Sequence, residues 1–151
     1  IAVERNVAAR LPVSALGSPR WPGRVVVDLD GWTVTADGLD DFVEDSKPSW
    51  AQNPFAYGFM LTPDWWPNEF TTVELADDSL GFGAPDGLTV GALGRLFVRT
   101  TGFLDDSVAG SQWTVTVEVG DDGLLRFVSG EAAQICQPGR GQQQYLPEPC
   151  I

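Results

Sequence analysis

The alternation of apolar and polar positions gives the chain its first outline. In "RVVVDLDGWTVTAD", residues 24–37, valines and threonines alternate on either side of Asp30-Gly31. That dipeptide is a two-residue turn signal, because both positions tolerate positive φ. Period two then predicts a hairpin in which Leu29 faces Trp32, Val27 faces Val34 and Val25 faces Ala36 on one side. Asp28 with Thr33, Val26 with Thr35 and Arg24 with Asp37 fill the other. A second hairpin is predicted over 111–130, where Trp113, Val115, Val117 and Val119 alternate with Thr114, Thr116 and Glu118. A three-residue loop at Gly120-Asp121-Asp122 sets Val117 against Leu125 and Val115 against Phe127, with Gly123 free to absorb left-handed backbone.

Further strands are expected at 55–61 "FAYGFML", 70–75 "FTTVEL", 95–103 "RLFVRTTGF" and 131–136 "EAAQIC". Helical patterning is sparser. "LDDFVEDS", 39–46, puts Leu39, Phe42 and Val43 on one helical face. "AVERNVAAR", 2–10, places Val3 and Val7 four apart, with Pro12 to stop it. "LTVGALGRL", 88–96, is ambiguous, because Gly91 and Gly94 each weaken a helix by about 1 kcal/mol. The pattern predicts a mainly β chain: one antiparallel β-rich domain over residues 1–151, a sandwich or a strongly curved sheet, with one to three short helices. An α+β arrangement is the alternative.

A chain of 151 residues buries roughly 70% of its unfolded surface, enough for a true core. With 43% hydrophobic and 20% charged residues it is globular rather than disordered. No apolar run approaches about 18 residues, so no transmembrane segment is expected. Glu4, Arg5 and Arg10 fall where a signal peptide would carry its apolar core. The start at Ile1 reads as a processed terminus, in line with export. The balance of 21 acidic against 9 basic residues, a net charge of −12, repels phosphate backbones and anionic lipid. Nucleic acid and anionic membrane surfaces are therefore not expected partners.

The charge-bearing residues limit the chemistry further. The chain has no histidine, which removes the usual neutral-pH general base, the His-dependent triads and imidazole metal ligands. No dinucleotide, P-loop or nucleophile-elbow motif is present, and the glycine-rich "GFGAPDG", 81–87, reads as a turn. Carboxylates are plentiful, but Asp28, Asp30 and the pairs Asp40-Asp41, Asp77-Asp78, Asp105-Asp106 and Asp121-Asp122 fall at turns, where Asp accepts from nearby amides. A hydrolase would need two of them close together, one with a raised pKa. No cofactor is expected. Calcium is the one ion such acidic turns would suit, although "DLDGWTVTADGLDD" departs from an EF-hand in its early Gly31 and its missing final Glu.

Six tryptophans are many for this length. Trp32 and Trp113 lie on apolar strand faces and are expected in the core. Trp21 and Trp50 flank turns. Trp65 and Trp66, in "LTPDWWPNEF", cannot point the same way: either both lie as lids over the core, or one is inside and one in solvent. An exposed ring of this kind stacks on sugars or anchors a protein partner.

Both cysteines, Cys136 and Cys150, sit in the C-terminal segment "ICQPGRGQQQYLPEPCI". Their spacing lacks the close C-x-x-C of redox and zinc sites. A structural disulfide is the expectation, in an oxidising compartment. Residues Cys136, Gly139, Arg140, Gly141, Gln143 and Cys150 spell C-x-x-G-R-G-x-Q-x-x-x-x-x-x-C. This ending resembles that of small exported bacterial proteins and lipoproteins of unknown function, and 100–127 is similar to their penultimate strands. Gln142 stands where those proteins carry a histidine. The resemblance covers the last third of the chain and implies export and a paired tail. Arg140 either reaches back to a carboxylate of this acidic domain or is presented outward on the closed loop.

Three functions remain open. The first is a non-catalytic exported domain working by protein–protein contact, as an accessory or structural subunit of the cell envelope or extracellular space. Its candidate contact residues are Trp50, Trp65, Trp66 and Arg140. The second is a carbohydrate-binding module using Trp65 or Trp66. The third is a carboxylate-dependent hydrolase.

Overall fold

The computed structural model describes residues 19–62, 71–102 and 105–151. The predicted helix at 2–10 lies outside them, as does the 63–70 segment bearing Trp65 and Trp66. The fold is mainly β, a single open antiparallel sheet with helices packed on one face. Its strands are β1 (Val26–Asp28), β2 (Thr33–Thr35), β3 (Thr71–Leu75), β4 (Leu93–Thr101), β5 (Val108–Val119) and β6 (Leu125–Cys136), with spatial order β1-β2-β6-β5-β4-β3. Among the described residues there is no second sheet, so the sandwich form of the expectation gives way to one sheet covered by helices.

The first hairpin takes the predicted register, with Val26 opposite Thr35, Val27 opposite Val34 and Asp28 opposite Thr33. Its turn differs from the expected one. Leu29 to Trp32 form the connection, the Asp28 carboxylate accepts from the Asp30 and Gly31 amides, and the left-handed residue is Trp32, at φ 54°. Leu29, expected to face inward, is 53% exposed.

The second hairpin is displaced by two residues from its expected register: Val119 faces Leu125 and Val117 faces Phe127. The loop therefore runs from Gly120 to Leu124. It is closed by Gly120 N–H on the Leu124 carbonyl, by Leu124 N–H on the Asp122 carboxylate, and by Gly123 at φ 77°. A shift of two keeps every side chain on its face, so alternation alone cannot choose between the two registers. A bulge between Thr116 and Val117 then leaves Val128 unpaired and 52% exposed.

Helix α1 (Leu39–Ser46) has the predicted bounds and buries Leu39 and Val43. Asp40 and Asp41 lie in its first turn, where they complement the helix dipole. Lys47 ends it in the left-handed conformation, its N–H on the Val43 carbonyl. The segment 55–61, expected as a strand, is instead helix α2 (Pro54–Met60). Asn53 explains the correction: its side chain accepts from the Phe55 and Ala56 amides, and Pro54 follows at the first helical position. Every residue of α2 is buried, so no polar stripe betrays its period. A short continuous apolar run reads equally well as a strand. The ambiguous 88–96 segment resolves into turns followed by β4 from Leu93.

α2 packs on β3 and β4, and α1 on β6. The core lies between them: Val34, Val73, Leu96, Val98, Val115 and Val117 of the sheet against Leu39, Val43, Trp50, Tyr57 and Phe59. The other face of the sheet is left to solvent and to the C-terminal segment.

Candidate binding site

Cys136 ends β6 and is bonded to Cys150, with Cα atoms 5.6 Å apart. The loop between them has almost no regular structure, so its backbone needs partners from side chains. Gln143 Nε2 donates to the Cys136 carbonyl at 3.0 Å and also lies 3.3 Å from the Gln137 carbonyl. Gln142 Nε2 donates to the Glu148 carbonyl at 2.7 Å and lies 3.3 Å from that of Gln134. Leu146 pairs with Gln134 through two backbone bonds, of 2.9 and 3.1 Å. Gln137 ties the loop to the start of β5, donating from its N–H to the Ser107 carbonyl and from its side chain to Asp105. Gly139 and Gly141 turn the chain at φ 81° and 136°. A Cβ on Gly141 would lie 3.0 Å from the Cys136 sulfur, so only glycine fits beside the bond.

Every residue of the C-x-x-G-R-G-x-Q-x-x-x-x-x-x-C pattern thus has an internal task, with the exception of the Arg140 side chain. The Arg140 backbone is held at both ends, its N–H on Gln137 and its carbonyl accepting from Ile151. Its guanidinium is exposed and makes no hydrogen bond or ion pair among the described residues.

The uncovered face of the sheet carries an ordered polar row. Arg99 on β4 donates from Nη1 to Glu74 on β3 at 2.7 Å and from Nε to Gln112 Oε1 on β5 at 2.6 Å. Phe97 and Tyr145 flank its guanidinium carbon, at 5.3 and 5.9 Å from their ring centroids. Tyr145 thereby seats the disulfide-closed loop on the sheet. Next to this row lies a cleft of about 390 Å³, lined by Trp32 and by Pro147 of the closed loop. Gln112, Thr114, Glu131 and Ala133 line it as well.

Trp32 was expected in the core with Trp113. Trp113 is there, at 6% exposure. Trp32 is there only in part: it is half-buried, packs against the margin of the core and also lines the cleft. The positive φ takes it out of the two-residue alternation from which the expectation came. Trp50, a candidate contact residue, is 2% exposed. It stacks on Phe42 with centroids 6.2 Å apart and donates from Nε1 to the Pro19 carbonyl at 2.8 Å. It is a core ring and not a surface anchor. Trp65 and Trp66 lie outside the described residues.

The acids lie largely where turns use them. Asp77 accepts from Ser79, and Asp105 from Ser107 and Val108. Asp40 is an exception to the turn pattern, bracing α1 to the sheet by accepting from Phe127 N–H at 2.7 Å. Asp122 accepts from Lys47 and Arg126, and Arg126 also bonds Glu44. The Lys47 ammonium holds Asp122 well below the usual carboxylate range, against some burial, with Arg126 and the Leu124 amide adding to the effect. Glu44 is lowered by Arg126 and Lys47, Asp77 by Ser79, and Asp105 by the Val108 and Ser107 amides. All four shifts run opposite to the rise that a general acid needs. Burial raises the Tyr57 hydroxyl well above its ordinary pKa, and this oxygen has no hydrogen-bond partner among the described residues. No three His, Cys, Asp or Glu side chains converge to hold a metal ion among the described residues.

Fold and site together define a one-sheet domain, helices on one face, with a disulfide-closed loop and a cleft on the other. No protein-family model matches the chain, and no curated protein or solved structure matches it. No described helix is long and apolar enough to cross a membrane.

Proposed function

We propose that this chain is a non-catalytic, exported contact domain, an accessory subunit that joins a larger assembly in the cell envelope or extracellular space. One observation carries the reading: Arg140 is an exposed cation without a partner among the described residues, on a loop whose other pattern residues all serve to hold that loop in shape. A disulfide and a set of side-chain bridges order the backbone before any partner arrives, which lowers the entropic cost of docking. Arginine is a frequent anchor at protein interfaces, because its fork binds carboxylates in two-pronged fashion. The disulfide favours an oxidising compartment, and the C-terminal resemblance points to export as well. The downward carboxylate shifts favour a binding role over acid catalysis.

The test is the size of the protein in an extract of its native source. It should elute in an assembly well above its own 16.3 kDa. Arg140→Glu, which reverses the one charge without touching the loop's internal bonds, should release it. Elution of the unaltered protein as a 16.3 kDa monomer, or an assembly indifferent to Arg140→Glu, would count against the reading.

A further inference from the structure

The cleft beneath Trp32 uses different residues from the Arg140 contact, and its chemistry is more specific. Gln112 is oriented before any ligand arrives. Arg99 offers only donors, so the 2.6 Å bond to it fixes Oε1 on that side. The amide Nε2 therefore presents its two N–H groups away from Arg99, and it has no partner among the described residues. Opposite Thr114 on the neighbouring strand stands Glu131. Its carboxylate is exposed and likewise makes no hydrogen bond or ion pair among the described residues. The Thr114 hydroxyl lies on the same face. Pinned donors, acceptors unpaired among the described residues and a hydroxyl thus line one cleft together with the half-buried Trp32.

We infer that this cleft binds one or two residues of a neutral glycan, with a sugar ring stacked on Trp32 and its hydroxyls shared between Gln112 Nε2 and the Glu131 carboxylate. A pyranose has an apolar C–H face for the indole and a rim of hydroxyls that both donate and accept. It can therefore satisfy an amide and a carboxylate together, as neither a purely apolar nor a purely charged ligand does. The cleft's 390 Å³ falls near the lower end of small-ligand sites, about 300–1,000 Å³. The charge decides against acidic sugars. Glu131 stands in the cleft, and the chain carries −12 overall, so a uronate or a phosphorylated glycan enters against like charge. Trp32 is also a bulky non-glycine residue at φ 54°, a conformation unfavourable for such a side chain. Asparagine or glycine would sit there with less strain, and the indole is what the larger side chain adds.

The experiment is calorimetric titration of the intact chain with cellotetraose and with tetra-N-acetylchitotetraose, using trigalacturonate as the acidic counter-probe. At least one neutral oligomer should bind, and trigalacturonate should bind more weakly or not at all. Trp32→Asn suits the left-handed backbone and removes the ring, so it keeps the fold while lowering affinity by more than about tenfold. Glu131→Gln keeps the shape and removes the charge. It should weaken the neutral sugar and narrow its advantage over trigalacturonate. Arg140→Glu should leave sugar affinity unchanged, so failure here and failure of the assembly reading are told apart. The inference falls if neither neutral oligomer binds at millimolar concentration, if binding survives Trp32→Asn, or if trigalacturonate binds best. It also falls if Trp32→Asn dissolves the native assembly while no sugar binds, which would make the cleft a protein contact.

Discussion

Gly58 offers the sharpest test of the packing that sets the sheet. It lies within α2, and a Cβ there would stand 2.7 and 2.9 Å from the two methyls of Val73 on β3. Val73 is fully buried and, being β-branched, has little rotamer freedom with which to retreat. Gly58→Ala thus sets two effects against each other. Helix propensity favours alanine by about 1 kcal/mol, and overpacking a closed core costs about 1–3 kcal/mol. The net expectation is a loss of about 0–2 kcal/mol, where an exposed helix would show a gain. Val73→Ala alone removes two buried methyls, worth about 1.6 kcal/mol in transfer, plus a cavity contribution. In the double variant the new methyl enters the vacated space, so the two changes should couple favourably by about 1–3 kcal/mol. Urea denaturation of the four proteins of the cycle measures this. If Gly58→Ala stabilises by about 1 kcal/mol on its own and the coupling is near zero, α2 does not approach β3 as closely as the structure places it.

Other expectations follow from single contacts. Replacing Cys136 and Cys150 together by serine should cost about 3 kcal/mol, the chain-entropy value for a loop of this length, read as a fall in the urea midpoint. Within the same loop, Gly141→Ala should lower the melting temperature, because its φ of 136° and the sulfur 3.0 Å away both oppose a Cβ. Arg140→Ala should leave it unchanged. Tyr57→Phe should raise stability by about 1 kcal/mol, since the lost hydroxyl is buried without a partner among the described residues; a comparable loss would show that it is hydrogen-bonded. Asp122 is depressed in the folded state, so its contribution is complete above the unfolded value of about 3.9 and fades as pH falls towards the folded value. Melts between pH 7 and 3 should show stability declining below about pH 4, with Asp122→Asn flattening that decline.

Parts of this fold were legible because a local pattern carried them. The 39–46 helix was readable from Leu39, Phe42 and Val43, since an amphipathic surface helix writes its period into the sequence. The first hairpin's register and the alternation of β5 were readable for the same reason, with one face dry and one wet. α2 was not, because burial on all sides erases the period. The displaced register of the second hairpin was not, because a two-residue shift leaves every face unchanged. In the site, the disulfide was within reach of sequence reasoning, because it depends on residues within one short segment; the direction of Arg140 was not, because it depends on which carboxylates the fold brings near. Trp32 meets the core only in part, because the backbone turns left-handed at the residue just before β2 and breaks the alternation there.

The sequence by itself determined the β-rich class, the acidic character, the closed C-terminal loop and the absence of histidine chemistry. Each of these depends on residue identity or on neighbours in the chain. Only the tertiary structure decided that Trp50 is a core ring, that α2 lies under β3, and that the cleft exists. Its residues, Trp32, Gln112, Thr114, Glu131 and Pro147, come from distant parts of the chain. They meet because β2 pairs with β6 and the disulfide folds the C-terminal segment back over the sheet. A polar strand face looks the same in sequence whether it meets open water or walls a binding site; the long-range pairing makes the difference.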